Sequence, residues 1–356
     1  MLTERCNLSC SHCWLDSGPD KTVSMATAEA FDYIDQAREI PTVKWISITG
    51  GEPFLFEDTL LKVISFAKKR GFYTECVTNC FWAQSEKKAE IILAKLKEAG
   101  LEVINISTDD FHQRQLPFER VLNCYKASQR LGVKTVIMCV VARSSRLTIG
   151  RVVGMLADGG IQVIGKDHRP NSPVSALAIE SGFIPAGRAA KLPESKRVTD
   201  GASIKGPCHQ ILRDVSIAPS GKVFPCCSAL GTDEAFAIGN AGRERLRLII
   251  QKASRSPLFK VLMNQGPEGL YKKGVGRSRK EYVNRCDLCY AVMTDSEVFL
   301  SDHSGSKRQS NQQQKPPDDC SHRSHRDFFY QPGARKRPNK GGKRAGNHKF
   351  YSAMCF

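Results

Sequence analysis

Val43-Lys44-Trp45-Ile46-Ser47-Ile48 runs into Thr49-Gly50-Gly51-Glu52-Pro53, and Leu60-Leu61-Lys62-Val63-Ile64-Ser65-Phe66-Ala67 follows shortly after. The first segment is an apolar run of buried-strand type, the last has helical spacing, and the Gly-Gly and Pro between them break the chain. Working outward, the same unit recurs. A strand at Tyr73–Thr78 precedes a helix at Glu86–Ala99 closed by Gly100, and a strand at Glu102–Ser107 precedes a helix at Phe118–Leu131 closed by Gly132. A strand at Val133–Val141, a helix near Ile149–Ala157 and a strand at Ile161–Gly165 complete the series. Repeated βα units predict an α/β fold with a parallel sheet, open or closed into a barrel. In such sheets functional side chains collect at the carboxyl ends of the strands. Gly50-Gly51-Glu52, Thr78-Asn79 and Ser107-Thr108-Asp109 all fall there.

Composition changes twice along the chain. Residues 166–207 are rich in Pro, Ser, Gly and Ala and read as a connection with one short helix. A second region, about 208–295, has short strand signals of its own at Val215–Ala218 and Lys222–Phe224. After Ser301 a polar stretch with few apolar residues predicts an unordered tail. The expected division is a core at 1–170, a linker at 171–207, a small α+β domain at 208–300 and a disordered basic tail at 301–356.

The 356 residues are 41% hydrophobic, enough for a sizeable core, and contain no run of 18 apolar residues that would span a membrane. Met1-Leu2-Thr3-Glu4-Arg5-Cys6 lacks the apolar segment of a secretory signal, so a cytoplasmic location is expected. The net charge of +17 invites a nucleic-acid reading. The tail alone holds 12 Lys or Arg against 4 Asp or Glu, leaving only +9 for the first 300 residues. Fourteen cysteines in such a chain point to metal or catalysis rather than to disulfides.

Their spacing carries the chemistry. Cys6-Asn7-Leu8-Ser9-Cys10-Ser11-His12-Cys13 places three thiols on one short loop. Three thiolates hold three irons of a cubane 4Fe–4S cluster and leave the fourth iron open to a small molecule. Structural zinc would want four ligands, and His12, adjacent to Cys13, is poorly placed to be the fourth. With this spacing the sequence resembles the radical S-adenosylmethionine superfamily. The resemblance implies that the open iron takes the amino and carboxylate groups of the methionine moiety. It also implies that reductive cleavage there yields a 5′-deoxyadenosyl radical.

Gly50-Gly51-Glu52-Pro53, about 40 residues further on, supports the same reading. Glycines at a strand end let backbone approach a ligand, and the Glu accepts from an ammonium. By resemblance Glu52 contacts the methionine amine, and Gly50 and Gly51 offer backbone groups. Asn79, Ser107 and Asp109 occupy positions that line the ribose or substrate in the family, although each alone reads as a helix cap or Asx turn. His112 is a candidate acid–base group or a surface histidine. Arg143 is a candidate partner for a carboxylate or a solvated charge.

The second region has Cys208-x12-Gly221-x4-Cys226 and Cys286-x2-Cys289. Two pairs suit zinc or a fully ligated cluster equally on spacing. Behind a radical S-adenosylmethionine core they resemble a SPASM or twitch extension holding auxiliary 4Fe–4S clusters. Tyr290–Phe299 has no further cysteine, so one cluster in the shorter twitch form is expected, with Cys227 as an alternative to Cys226. Cys76, Cys80, Cys124 and Cys139 read as small core residues, and Cys320 and Cys355 have no evident partners.

The resemblance covers about residues 3–295 and implies a partial (β/α)6 TIM-like barrel. Only five residues precede Cys6, so the strand that leads into the cysteine loop is expected to be shortened or missing, with an exposed sheet edge or a loosely held loop. The implied activity is hydrogen abstraction from a peptide or protein side chain, with a flavodoxin or ferredoxin as electron donor. The alternatives are dehydrogenation of a small molecule, an inactive relative, and a zinc- or nucleic-acid-binding protein that uses Phe328-Phe329-Tyr330 and Arg335-Lys336-Arg337.

Overall fold

Six parallel strands form the first part of a single sheet in the computed structural model, which describes residues 1–164, 174–199, 204–231, 233–271, 281–294 and 352–355. They are β1 (Val43–Ile48), β2 (Tyr73–Thr78), β3 (Leu101–Ser107), β4 (Lys134–Val141), β5 (Ile161–Val163) and β6 (Ala176–Gly182). Helices α1 (Thr27–Ala37), α2 (Glu57–Lys69), α3 (Glu86–Ala99), α4 (Asp110–Gln113), α5 (Glu119–Leu131) and α6 (Ile149–Leu156) accompany them. The periodicities in the sequence therefore correspond to real elements, with ends displaced by a few residues. Ser85 caps α3 by accepting from the Lys88 amide at 3.2 Å, and Gly132 ends α5 in the left-handed region at φ 63°.

Both faces of these strands are covered, which is why they read as apolar runs rather than alternations. Ile46, Ile48, Ile104, Ile106 and Ile137 bury one face against the helices in the largest apolar core. Their neighbours Trp45, Val103, Val136 and Leu177 pack together on the opposite face. Each aliphatic side chain withdrawn from water this way contributes about 2 kcal/mol.

β6 departs from expectation, because it lies inside the stretch assigned to the linker at 171–207. It pairs in parallel with both β4 and β5, giving the order β5-β6-β4-β3-β2-β1. Ala176-Leu177-Ala178-Ile179 is a strand made partly of alanines between Pro- and Gly-rich flanks, so its local signal was weak. Cys76, Cys80, Cys124 and Cys139 are buried in the main core as expected.

Beyond β1 the sheet continues through β10 (Ser352–Cys355), β7 (Asp214–Ile217), β8 (Lys222–Phe224) and β9 (Gly239–Asn240). The last three form a small antiparallel unit. With α7 (Leu246–Ser254), α8 (Pro257–Gln265), α9 (Pro267–Tyr271) and α10 (Arg285–Thr294) they build the second domain. Val215, Ile217, Val223, Leu246 and Ile249 join the main core, while Ile211, Phe259, Leu262, Leu288 and Val292 belong to a second one. Ser352–Cys355 form a strand within the region expected to be an unordered tail. The rest of that tail, Cys320 and the aromatic and basic stretches included, lies outside the described residues. No helix among the described residues is long and apolar enough to cross a membrane.

Met1–Thr3 occupy the place of the strand that was expected to be shortened or missing. Met1–Thr3 contribute a parallel bridge between Thr3 and Gly50 and a bond from the Leu2 amide to the Thr49 carbonyl at 2.6 Å. The edge of β1 is covered by β10, so the expected exposed edge is absent.

Candidate iron–sulfur and cofactor site

The cysteine loop is held by backbone first. The Gly51 amide donates to the Thr3 carbonyl at 2.7 Å and the Glu52 amide to the Arg5 carbonyl at 2.9 Å, so the loop lies directly across the end of β1. A Cβ on Gly51 would overlap the Arg5 carbonyl oxygen, and one on Gly50 would overlap that of Thr3. The two glycines thus make room for the loop that carries the cysteines. The Gly51 amide is consumed in that contact.

Cys6 and Cys10 are buried and Cys13 half-buried, in a pocket packed by Leu8, Phe111, Ala142, Phe183 and Ala189. Burial pushes the Cys6 thiol up to about 12, with Glu52 and Cys13 adding repulsion that the Leu8 amide and Arg188 partly offset. Burial likewise raises Cys10 strongly, reinforced by Asp109, Cys6 and Cys13. Thiolates crowded this way need a cation, and bound iron supplies it by displacing the protons. His12 does not complete a four-ligand zinc site. Its ring stacks on Phe111 at 4.4 Å, and its Nε2 lies 3.4 Å from Asp109 Oδ2. Burial lowers the His12 pKa to about 4, so the ring is neutral at ordinary pH. Three cysteines without a fourth protein ligand fit a cubane with an open iron.

Glu52 stands next to the loop, fully buried. Its Oε1 accepts from the Thr78 hydroxyl at 2.9 Å and the Phe54 amide at 3.2 Å, and its Oε2 accepts from the Asn79 amide at 2.8 Å. Burial raises its pKa to about 7 despite these donors. A ligand ammonium beside it would restore the charged form. Asn79 reaches the other way, donating from Nδ2 to Asn7 Oδ1 at 2.9 Å and lying 3.8 Å from Cys6 Sγ. Glu52, Thr78 and Asn79 therefore connect two strand ends to the cysteine loop.

The end of β3 supplies the opposite wall. Ser107 is half-buried, and Asp109 is fully buried. Asp109 Oδ1 accepts from the amides of Phe111 and His112 at 2.9 and 3.0 Å, which starts α4 and turns both rings toward the loop. His112 Nδ1 approaches the same oxygen at 2.9 Å, and the neighbouring histidines hold the Asp109 carboxyl below its usual range despite burial. His12, Asp109 and His112 place ligand atoms within 4.8 Å of one another. His12 Nδ1, Asp109 Oδ2 and Gln113 Nε2 are buried without a hydrogen-bond partner, so polar atoms remain for a ligand to meet. Arg143 is not part of this site: it is exposed and donates from Nε to the Arg197 carbonyl at 2.8 Å.

Two residues here had no signal in the sequence reading. Arg188, from the region classed as linker, donates to the Cys10 carbonyl at 2.8 Å and the Ser17 carbonyl at 2.5 Å, and pairs with Asp16 at 3.2 Å. Gln115 accepts from the Ser9 amide at 2.9 Å and lies 3.6 Å from Cys10 Sγ. Arg188 meets Cys10 across 178 residues of chain, out of reach of any local signal.

In the second domain Cys208, Cys226, Cys286 and Cys289 line one small cavity with Gln210, Ser228 and Arg285. Burial raises Cys226 and Cys289 strongly and takes Cys286 to about 11, with the other thiols adding repulsion. Four mutually repelling cysteines fit a fully ligated cluster. Cys227 is half-buried and off the cavity wall.

Two regions of the chain match known protein families. The radical SAM superfamily matches residues 1–144, and an iron–sulfur cluster-binding domain of the SPASM class matches residues 208–290. The Bacillus subtilis (strain 168) protein YydG, whose name assigns it to peptide biosynthesis, is 20% identical over 265 residues, 74% of this chain and 79% of that one. The GTP 3′,8-cyclase of Aliarcobacter butzleri (strain RM4018) is 31% identical over 154 residues, 39% of this chain and 44% of the cyclase. This chain therefore spans under half of that relative. The crystal structure of BtrN in complex with AdoMet and 2-DOIA aligns with a TM-score of 0.47 at 15% identity, covering 81% of this chain and 89% of that one. The radical SAM domain implies a 4Fe–4S cluster and S-adenosylmethionine, and the SPASM domain implies auxiliary iron–sulfur clusters. On the cysteine loop, the Gly-Gly-Glu turn and the two domain matches, residues 1–144 form a radical SAM domain and residues 208–290 an iron–sulfur cluster-binding domain of the SPASM class.

Proposed function

We propose that the protein abstracts hydrogen from a peptide or protein side chain, using S-adenosylmethionine held at the Cys6/Cys10/Cys13 site. The observation that carries this is the coexistence of a three-cysteine site beside buried Glu52 and a four-cysteine site in the second domain. The peptide class is supported by the relative named for peptide biosynthesis, which is matched over 79% of its length. The cyclase is matched only over 44% of its length and supports GTP as substrate less.

When bound, the cluster and S-adenosylmethionine supply reductive cleavage to a carbon-centred radical. The chain's own residues do the rest. Cys6, Cys10 and Cys13 would hold the cluster, and Glu52 would accept from the methionine ammonium. Asn79, Ser107 and Asp109 would border the nucleoside, with Gly50 and Gly51 fixing the loop against the sheet. Phe111, Phe183 and Leu8 exclude water, which protects a reactive species from quenching. Cys208, Cys226, Cys286 and Cys289, with no free position left, would suit an electron acceptor rather than a substrate-binding cluster. A small electron-transfer protein such as a flavodoxin or ferredoxin would supply the reducing electron.

The test is anaerobic reconstitution followed by reduction with S-adenosylmethionine present, reading 5′-deoxyadenosine by chromatography. Release that is lost in the Cys6/Cys10/Cys13→Ala variant is the expected result. A reconstituted chain with full iron content and no 5′-deoxyadenosine would leave the proposal without support.

A further inference from the structure

We propose that Ser47, Glu75 and Asn105 receive the ammonium group of a substrate lysine, on the strand face that leads up to the cysteine loop. The inference rests on the reading of the substrate as a peptide or protein, and it names the side chain that enters the fold. Strand alternation fixes where the three residues lie. Ile46, Cys76 and Ile104 belong to the main core against the helices, so their neighbours Ser47, Glu75 and Asn105 stand on the opposite face. Each lies two residues past Trp45, Tyr73 or Val103, which pack together on that face near the strand starts. At the other end of the same face, Val140 of β4 packs against the residues around Cys6 and Cys10. The three polar residues therefore occupy the level between an apolar floor and the cluster site.

Their chemistry is that of a cation site. Ser47, Glu75 and Asn105 are 2%, 1% and 5% exposed. Glu75 Oε1 accepts from Ser47 Oγ and from Asn105 Nδ2, both at 3.4 Å, which is long for hydrogen bonds of either kind. Asn105 Oδ1 is buried without a hydrogen-bond partner among the described residues. A buried acceptor in that condition costs free energy until a donor meets it. Three adjacent strands thus set a carboxylate, an amide oxygen and a hydroxyl oxygen side by side. An alkylammonium answers them with three donors and a charge that offsets the buried carboxylate. A guanidinium, with five donors in a rigid plane, matches three separate acceptor groups less well.

The face opens toward the cluster site. Val136 and Leu177 at the floor are buried, whereas Met138 and Ile179, one tier higher, are half-buried. Val77, Ser107, Val140 and Ser181, in the tier above, are half-buried as well. From that upper tier to Glu75 is two residues of strand, about 7 Å, a depth that the four-carbon stem of lysine reaches. The stem would lie along Met138 and Ile179 with its charged head at Glu75. The peptide main chain and the first side-chain carbons would then remain level with Ser107, beside the proposed site of radical formation.

Equilibrium dialysis against the anaerobically reconstituted full chain with S-adenosylmethionine tests this. The probes are acetyl-Gly-Gly-Lys-Gly-Gly-amide and its norleucine and Nε-acetyl-lysine counterparts. The net charge of +17 disfavours a cationic peptide in general, so a preference for lysine reports a local site. The lysine peptide is expected to bind about tenfold or more tighter than either neutral one. Glu75→Gln is expected to remove that preference while loading as much iron as the parent. Should Glu75→Gln fail to load iron, Ser47→Ala, which deletes one hydroxyl, is expected to cut the preference about fivefold. No lysine preference in the parent, or an unchanged one in the iron-loaded variant, would overturn the proposal. Release of 5′-deoxyadenosine from the parent without peptide keeps the two readings apart. Release without a lysine preference overturns the lysine site alone, and a lysine preference without release supports the site and counts against the radical chemistry.

Discussion

Arg188 Nε donates to the carbonyl of Cys10 at 2.8 Å, joining the region after β6 to the middle of the cysteine loop. The same guanidinium reaches the Ser17 carbonyl and Asp16, so one side chain holds both ends of the loop's outer half. Hydrogen bonds from a charged donor in a partly buried site contribute about 1.5–3 kcal/mol, more than a surface ion pair. Arg188→Ala is expected to lower the stability of the cluster-free chain by about 2 kcal/mol in urea unfolding. It should also reduce iron retained at the first site on gel filtration.

Gly51 is expected to tolerate no side chain. Gly51→Ala drives a methyl into the Arg5 carbonyl and displaces the cysteine loop from β1. Reconstitution should fall from about eight irons per chain to about four, because only the second site would load. Gly154→Ala, where an added Cβ meets nothing within 4 Å, should leave iron content unchanged.

Glu52 makes stability depend on pH in an identifiable direction. Its folded pKa is raised from 4.5 to about 7 by burial, so between those values the folded state binds more protons than the unfolded one. Stability should therefore fall as pH rises through that window, by about 3 kcal/mol for this group, and stay flat above it. Urea midpoints of the cluster-free chain at pH 5 and pH 8 should differ less in Glu52→Gln than in the parent. An equal difference in both proteins would show that Glu52 is not the titrating group.

The two adjacent cysteines of the second domain should separate cleanly. Cys226 lines the four-cysteine cavity and Cys227 does not. Cys226→Ser is expected to lose the iron of the second site, leaving about four per chain, while Cys227→Ser retains about eight. Mössbauer spectra of iron-57-reconstituted variants would distinguish the two results.

Local chemistry made much of this protein legible in its sequence. Strands β1 to β5 and helices α2, α3, α5 and α6 announce themselves because burial on both faces demands continuous apolar runs and helix ends demand caps. Cys6, Cys10 and Cys13 are legible because cluster ligands on one loop need close spacing. Glu52 is legible because it follows two glycines at a strand end. Tertiary structure alone decided what depends on partners far along the chain. β6 became a strand because β4 and β5 offered it two edges, and Arg188 became a clamp because that strand delivers it to Cys10. Gly50 and Gly51 proved to be spaces for the Thr3–Arg5 backbone. Ser352–Cys355 form a strand because they pair in parallel with both β1 and β7. A hydrogen-bonding edge has no sequence signature of its own: its need for a partner exists only once the chain around it has folded.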